Sequence, residues 1–188
     1  MTNTAYQISD AERAFAIQHL GNSRDFFVKT IQNMNDEQWY LRPGPGQWSA
    51  AECADHLLQT ELYYFMPTIQ KMLAEPANPD RLSEAAGKDQ LAIDSMEHRT
   101  IKIKGQPWEE KSEYVIDREE LIKSFVIKRN EFIEYLKNSD AEFRVHYTYF
   151  PGLETLDGYQ FILMISAHTN RHSSQIEDIK ALDFYPIG

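Results

Sequence analysis

The sequence predicts an all-α protein, an antiparallel four-helix bundle with a long crossover between the second and third helices. Three observations carry this expectation. Four long segments repeat apolar residues at spacings near three and four, the period of one helix face. Two moderate links join the first helix to the second and the third to the fourth. The stretch from about Ala77 to Ile116 separates the two pairs, and a connection of that length crosses the fold or serves a function. This pattern suits a bundle better than any βαβ arrangement. The 188 residues fit a single domain spanning 1–188.

The first helix is expected from about Asp10 to Met34, with Ala14, Ile17, Leu20, Phe27, Ile31 and Met34 on its core side. Pro43, Gly44, Pro45 and Gly46 then break the chain. Ser49 and Glu52 form an S-x-x-E capping box that starts a second helix, which runs to about Glu75 before Pro76. Pro67 inside that span predicts a kink near Tyr63 to Met66. The crossover contains Pro79, Gly87, Gly105 and Pro107, and its "RTIKIKGQPW" suits a short extended piece. Asp117 caps the third helix, whose core face is Leu121, Ile122, Phe125, Phe132, Ile133 and Leu136. "RVHYTYFPGLETLDGY" reads as irregular, with Thr155 as the cap of a fourth helix ending near Phe184.

Composition excludes several function classes. The formal net charge of −10 provides no basic patch to displace counterions from a phosphate backbone, so neither nucleic acid nor an anionic membrane is an expected partner. No apolar run approaches the length of a membrane span. The N-terminal "MTNTAYQISDAERAF" lacks the basic and apolar regions of a signal peptide, and the only cysteine, Cys53, permits no intrachain disulfide. A cytoplasmic location is expected.

The chemistry concentrates in the fourth helix. His168 and His172 are four residues apart, so they share one face and can chelate one ion. They fall inside an apolar stripe through Phe161, Ile165, Ile176, Ile179 and Leu182. Two neighbouring imidazoles are costly to bury there unless each finds a partner, and a shared divalent cation is an efficient one. His56, well inside the second helix, is the best candidate for a third nitrogen, which would leave coordination positions open as catalytic sites require. His19, His98 and His146 lack such a setting and read as ordinary surface or loop histidines.

Helical projection alone leaves the orientation of His56 open. Ala54, Leu58, Leu62, Phe65, Ile69 and Met72 line one side of the second helix, and His56 lies opposite with Cys53, Thr60 and Tyr63. Either His56 faces the bundle interior and the aliphatic row lies partly at a subunit interface, or the row faces the core and His56 faces solvent. Cys53 is one turn before His56 and suits a small core residue better than a metal thiolate. Thr169 stands where a zincin has its glutamate, and no Glu-x-x-His pairs of a di-iron bundle occur. P-loop, GxGxxG and GxSxG motifs are also missing.

"PGQWSAAECADHL" resembles the first metal motif of the DinB-like (DinB/YfiT) metalloenzyme superfamily. "FPGLETLDGYQFILMISAHTNRHSSQI" is similar to its final motif, in which a helix carries H-x-x-x-H-x-x-Q, here ending at Gln175. Trp48, just before the capping box, agrees too. The resemblance implies a divalent metal, commonly nickel or zinc, held by His56, His168 and His172. It also implies that His56 faces inward and that the chain forms a homodimer. Family relatives include transferases and isomerases that use a low-molecular-weight thiol.

Together these observations lead to a metal-dependent enzyme acting on a small-molecule substrate, with thiol S-transfer as the first expectation. A metal-dependent hydrolase and a non-catalytic metal- or small-ligand-binding bundle are the alternatives. No side chain is assignable as a general base.

Overall fold

The computed structural model describes residues 6–98 and 117–186; the extended piece expected in "RTIKIKGQPW" lies outside them. Helix α1 spans Asp10–Ile31 and opens on a capping box in which Ser9 and Glu12 satisfy each other's backbone N–H groups. A short α2, Asp36–Tyr40, uses the same device between Asn35 and Gln38, within the stretch expected to be a break. The expected Ser49–Glu52 box starts α3, Ala50–Thr60.

A π turn over Glu61–Phe65 then leads into α4, Met66–Ala74, and this pair completes the second bundle helix. The irregularity falls where Pro67 predicts it. Pro67 has no N–H to donate, and its ring crowds the carbonyl of Tyr63, so the preceding turn widens. The widened turn also resets the helix's phase. Leu57, Glu61, Phe65 and Ile69, each four apart, all face inward, whereas Leu58 and Leu62 of the expected aliphatic row are only half-buried. Ala54, Phe65, Ile69 and Met72 of that row are buried in the chain's own core. The row is therefore largely occupied within the subunit.

The crossover is not structureless. It holds α5, Leu82–Ala85, and α6, Asp89–Glu97, which lays Ala92, Ile93 and Met96 into the core against the final helix. Helix α7, Arg118–Asn138, is capped by Asp117 as expected. The stretch read as irregular forms an antiparallel hairpin of β1, Tyr147–Phe150, and β2, Glu154–Asp157, with Tyr147 opposite Asp157. Thr155 is inside β2 and does not cap the fourth bundle helix; Asp157 does, in a capping box with Gln160. Helix α8 spans Gly158–Lys180. Glycine is required at its first position, because a Cβ there would lie 2.9 Å from the Phe143 carbonyl oxygen.

Helices α1 and α3 each pack against both α7 and α8, so the first and second bundle helices lie across the bundle from each other. Helix α8 is the most enclosed. Every residue from Leu156 to Ala167 is buried, and α6 covers the side that the other bundle helices leave open. In α1 the expected core residue Ala14 is exposed and Ala16 is buried instead; Leu20, Phe27, Ile31 and Met34 are buried as expected. No helix among the described residues is long and apolar enough to cross a membrane.

Candidate metal centre

The capping box at Asp157 and the packing around Phe161 and Ile165 fix the axis and rotation of α8, which brings His168 and His172 to the face opposite α3. The box at Ser49 fixes α3 and His56 in the same way. The three rings converge. His56 Nε2 lies 3.1 Å from His168 Nε2, and one ring nitrogen from each histidine falls within a set whose members are all within 4.8 Å. Ring centroids are 4.7–5.0 Å apart in all three pairings. The interior orientation of His56 is thus the correct one.

Two nitrogens about 2.1 Å from one ion, in tetrahedral or octahedral arrangement, are roughly 3.0–3.4 Å apart. The His56–His168 pair already meets this, and His172 has to close in from a separation of at most 4.8 Å. The donor set also fits: three imidazoles suit nickel and zinc, and all three members of the cluster are histidines among the described residues.

Electrostatics favour the ligand form. Burial holds the His168 imidazole well below the usual histidine range, and His172, His56, Arg171 and Arg129 push the same way. The ring is therefore neutral at pH 7, with a lone pair to give. His168 Nδ1 is buried without a hydrogen-bond partner among the described residues, so the ring's polar capacity is met only through the cluster. His172 is oriented differently. Its Nδ1 lies 3.2 Å from Gln175 Oε1, which can accept only from a protonated Nδ1 and so leaves Nε2 to face the cluster.

Aromatic walls enclose the centre. The Trp48 ring stacks on His172 with centroids 5.7 Å apart and planes at 21°, and lies 5.0 Å from His56. Phe65 meets His168 edge-on at 5.6 Å. His172 is 6% exposed, and His56 and His168 retain partial exposure although the Nδ1 of each is buried.

None of the other histidines joins the cluster. His19 packs on Phe15, His98 lies against the Asp94 carbonyl of its own helix, and His146 against the Met72 carbonyl. Cys53 is buried in the apolar core, as a small core residue. Sequence reading did not single out the charged pair below the cluster, Arg129 and Glu61, whose side chains are 0% and 4% exposed. A signal existed: Arg129 falls between Phe125 and Phe132 on the apolar face of α7, and a charge in such a stripe is almost never buried unless paired.

Fold and centre together define a helical bundle with a tris-histidine cluster between its second and fourth helices. The family model of the DinB superfamily matches residues 19–176, and the chain belongs to that superfamily. It is 26% identical over 153 residues to the uncharacterized protein YuaE of Bacillus subtilis (strain 168), covering 80% of this chain and 88% of that protein. Among solved structures it is similar to YfiT from Bacillus subtilis, described as "a probable metal-dependent hydrolase with an unusual four-helix bundle topology". That match has a TM-score of 0.66 and 15% identity, and covers 94% of this chain and 90% of the other. At that identity the likeness concerns the fold.

Proposed function

We propose that this chain is a metal-dependent enzyme that activates a small nucleophile at His56, His168 and His172, and that the nucleophile is a low-molecular-weight thiol. The observation that supports the reading most is the convergence of three imidazoles on one point. A bound divalent ion, nickel or zinc, would supply Lewis acidity that ionises a coordinated thiol near neutral pH. The chain's own residues prepare for this. The three histidines would supply three nitrogen donors to such an ion, fewer than a closed structural site uses, so that a substrate could complete its coordination. Gln175 fixes the His172 tautomer, and Trp48 and Phe65 keep water from the inner side, where charge interactions are strengthened.

The choice of thiol over water rests on the donor set. No carboxylate belongs to the cluster among the described residues, so no general base is at hand to take a proton from water. A free thiol, with a pKa of about 8.5, needs only a small shift on the metal to be ionised at neutral pH, whereas water has to be brought down from about 15.7 to about 7. Metal-dependent hydrolysis is the second reading, favoured by the description of YfiT.

Reconstituted protein offered glutathione and an activated aryl halide should form the S-conjugate, and both a chelator and His168→Ala should abolish it. Hydrolysis of an activated ester without any thiol, and no conjugation, would establish the second reading instead.

A further inference from the structure

The one fully buried guanidinium among the described residues lies beneath the histidine cluster and has no part in the chemistry above. Arg129 of α7 has five N–H groups, and each has an acceptor. Nε donates to Glu61 Oε1 at 3.1 Å, and Nη2 donates to the same oxygen. Nη1 donates to the Leu20 carbonyl at 3.2 Å and to Ser23 Oγ at 2.9 Å, both on α1. The remaining Nη2 hydrogen goes to Thr169 Oγ1 of α8 at 2.9 Å. One side chain thereby ties all four bundle helices together.

Stability alone is a weak reason for such a pair. Desolvating two charges offsets most of their attraction, and apolar residues of similar volume often do as well. The location is more informative. Glu61 begins the π turn, roughly one and a half helical turns beyond His56. Thr169 directly follows His168. The guanidinium is thus bonded at once to the helix that supplies His56 and to the helix that supplies the other two ligands. Apolar contacts can slide by fractions of an ångström; a planar five-donor fork with every donor engaged cannot.

We infer that Arg129 is a positioning residue for the metal centre: with Glu61 and Thr169 it forms a buried strut that sets the spacing of the second bundle helix against α8 and so holds His56 at coordinating distance from His168 and His172. The inference rests on the metal-centre reading. It accounts for the inward-facing glutamate at the π turn, which shares the buried face of Leu57 and Phe65 at four-residue spacing.

The test is titration with Co²⁺, following its visible ligand-field absorption, which reports coordination geometry independently of activity. Thr169→Val keeps the side chain's shape and removes the hydroxyl that accepts from Arg129 and donates to the Ile165 carbonyl; Thr169→Ser keeps the hydroxyl. Thr169→Val should bind Co²⁺ about tenfold more weakly, the scale of outer-shell losses, with altered band intensities. Thr169→Ser should match wild type. The double variant Glu61→Gln/Arg129→Met leaves no unpaired charge, and should keep its helical circular dichroism while losing about tenfold or more in Co²⁺ affinity. If it fails to fold, the Thr169 pair decides alone. Wild-type affinity and spectrum in Thr169→Val, or equal losses in the Val and Ser variants, would overturn the strut. Absence of Co²⁺ binding by the wild type would instead overturn the metal reading, and the strut with it.

Discussion

Gln175 offers a sensitive test of how the centre is organised, because it touches one ligand through one bond. Its Oε1 lies 3.2 Å from His172 Nδ1, and the side chain is half-buried at the cluster's edge. Gln175→Leu keeps much of the volume and removes the acceptor. His172 can then adopt either tautomer and turn about its Cβ–Cγ bond, so the ion must select the competent state. Outer-shell partners of this kind contribute about 10–100-fold in metal affinity, which is about 1.4–2.8 kcal/mol. Gln175→Glu should act oppositely, since a carboxylate accepts the Nδ1 proton more strongly and makes the ring a better donor. Zn²⁺ competition against a chromophoric chelator would give both values, with circular dichroism confirming unchanged helix content. Affinity within twofold of wild type for Gln175→Leu would refute the orienting role. A Gln175→Glu variant as weak as Gln175→Leu would refute it equally.

Three further outcomes follow from the packing and the charges. Asp157→Ala removes the N-cap of α8 and one of the three carboxylates on Arg144, so a loss of about 1–2 kcal/mol is expected, with Asp157→Asn costing less because asparagine also caps; thermal unfolding should show a fall of about 2–4 °C per kcal/mol. Arg129→Met alone leaves Glu61 buried and unpaired, and should cost about 3–5 kcal/mol in urea unfolding, most of it recovered by adding Glu61→Gln. In the metal-free protein, His168 resists protonation when folded but binds a proton when unfolded as pH falls below about 6.5. Acid therefore favours the unfolded state from that point downward, by at most about 1.4 kcal/mol per pH unit for this group, with no effect above it. Burial, opposed by Arg144, pushes the Asp157 carboxyl up to about 6, which adds stability as pH falls through that value. Comparing urea midpoints of wild type and His168→Gln from pH 7.5 to 5 isolates the histidine; parallel profiles would contradict its depressed proton affinity.

The parts of the fold that sequence makes legible are those with local causes. Ser49 and Asp117 announce helix starts because a side chain capping its own backbone needs no tertiary partner. Pro67 announces its kink for the same reason, although not that the kink would be a π turn carrying an inward glutamate. The hairpin at 147–157 was also signalled, by alternating aromatic and β-branched residues in Tyr147–Phe150 and by the Pro151-Gly152 turn, but it is too short to stand out beside helical segments of over twenty residues. Asp157 outcompetes Thr155 as the cap because Thr155 is engaged in the strand ladder and with Glu84. The four-residue spacing of His168 and His172 made that pair legible. The approach of His56 depends on how α3 crosses α8, a tertiary fact that projection of one helix cannot supply. The Arg129 strut lies further out of reach, since its partners come from three other helices and its meaning exists only in the assembled core.

The central claim is that His56, His168 and His172 hold a divalent ion at a centre the fold does not depend on. Elemental analysis of untagged wild-type protein and of His168→Ala, with circular dichroism on the same samples, tests it most directly. About one nickel or zinc ion per wild-type chain is expected, little in the variant, and the same helical spectrum in both, because the buried apolar faces of α1, α7 and α8 supply the folding energy. Metal-free wild type after metal-replete expression, or full occupancy in His168→Ala, would contradict it.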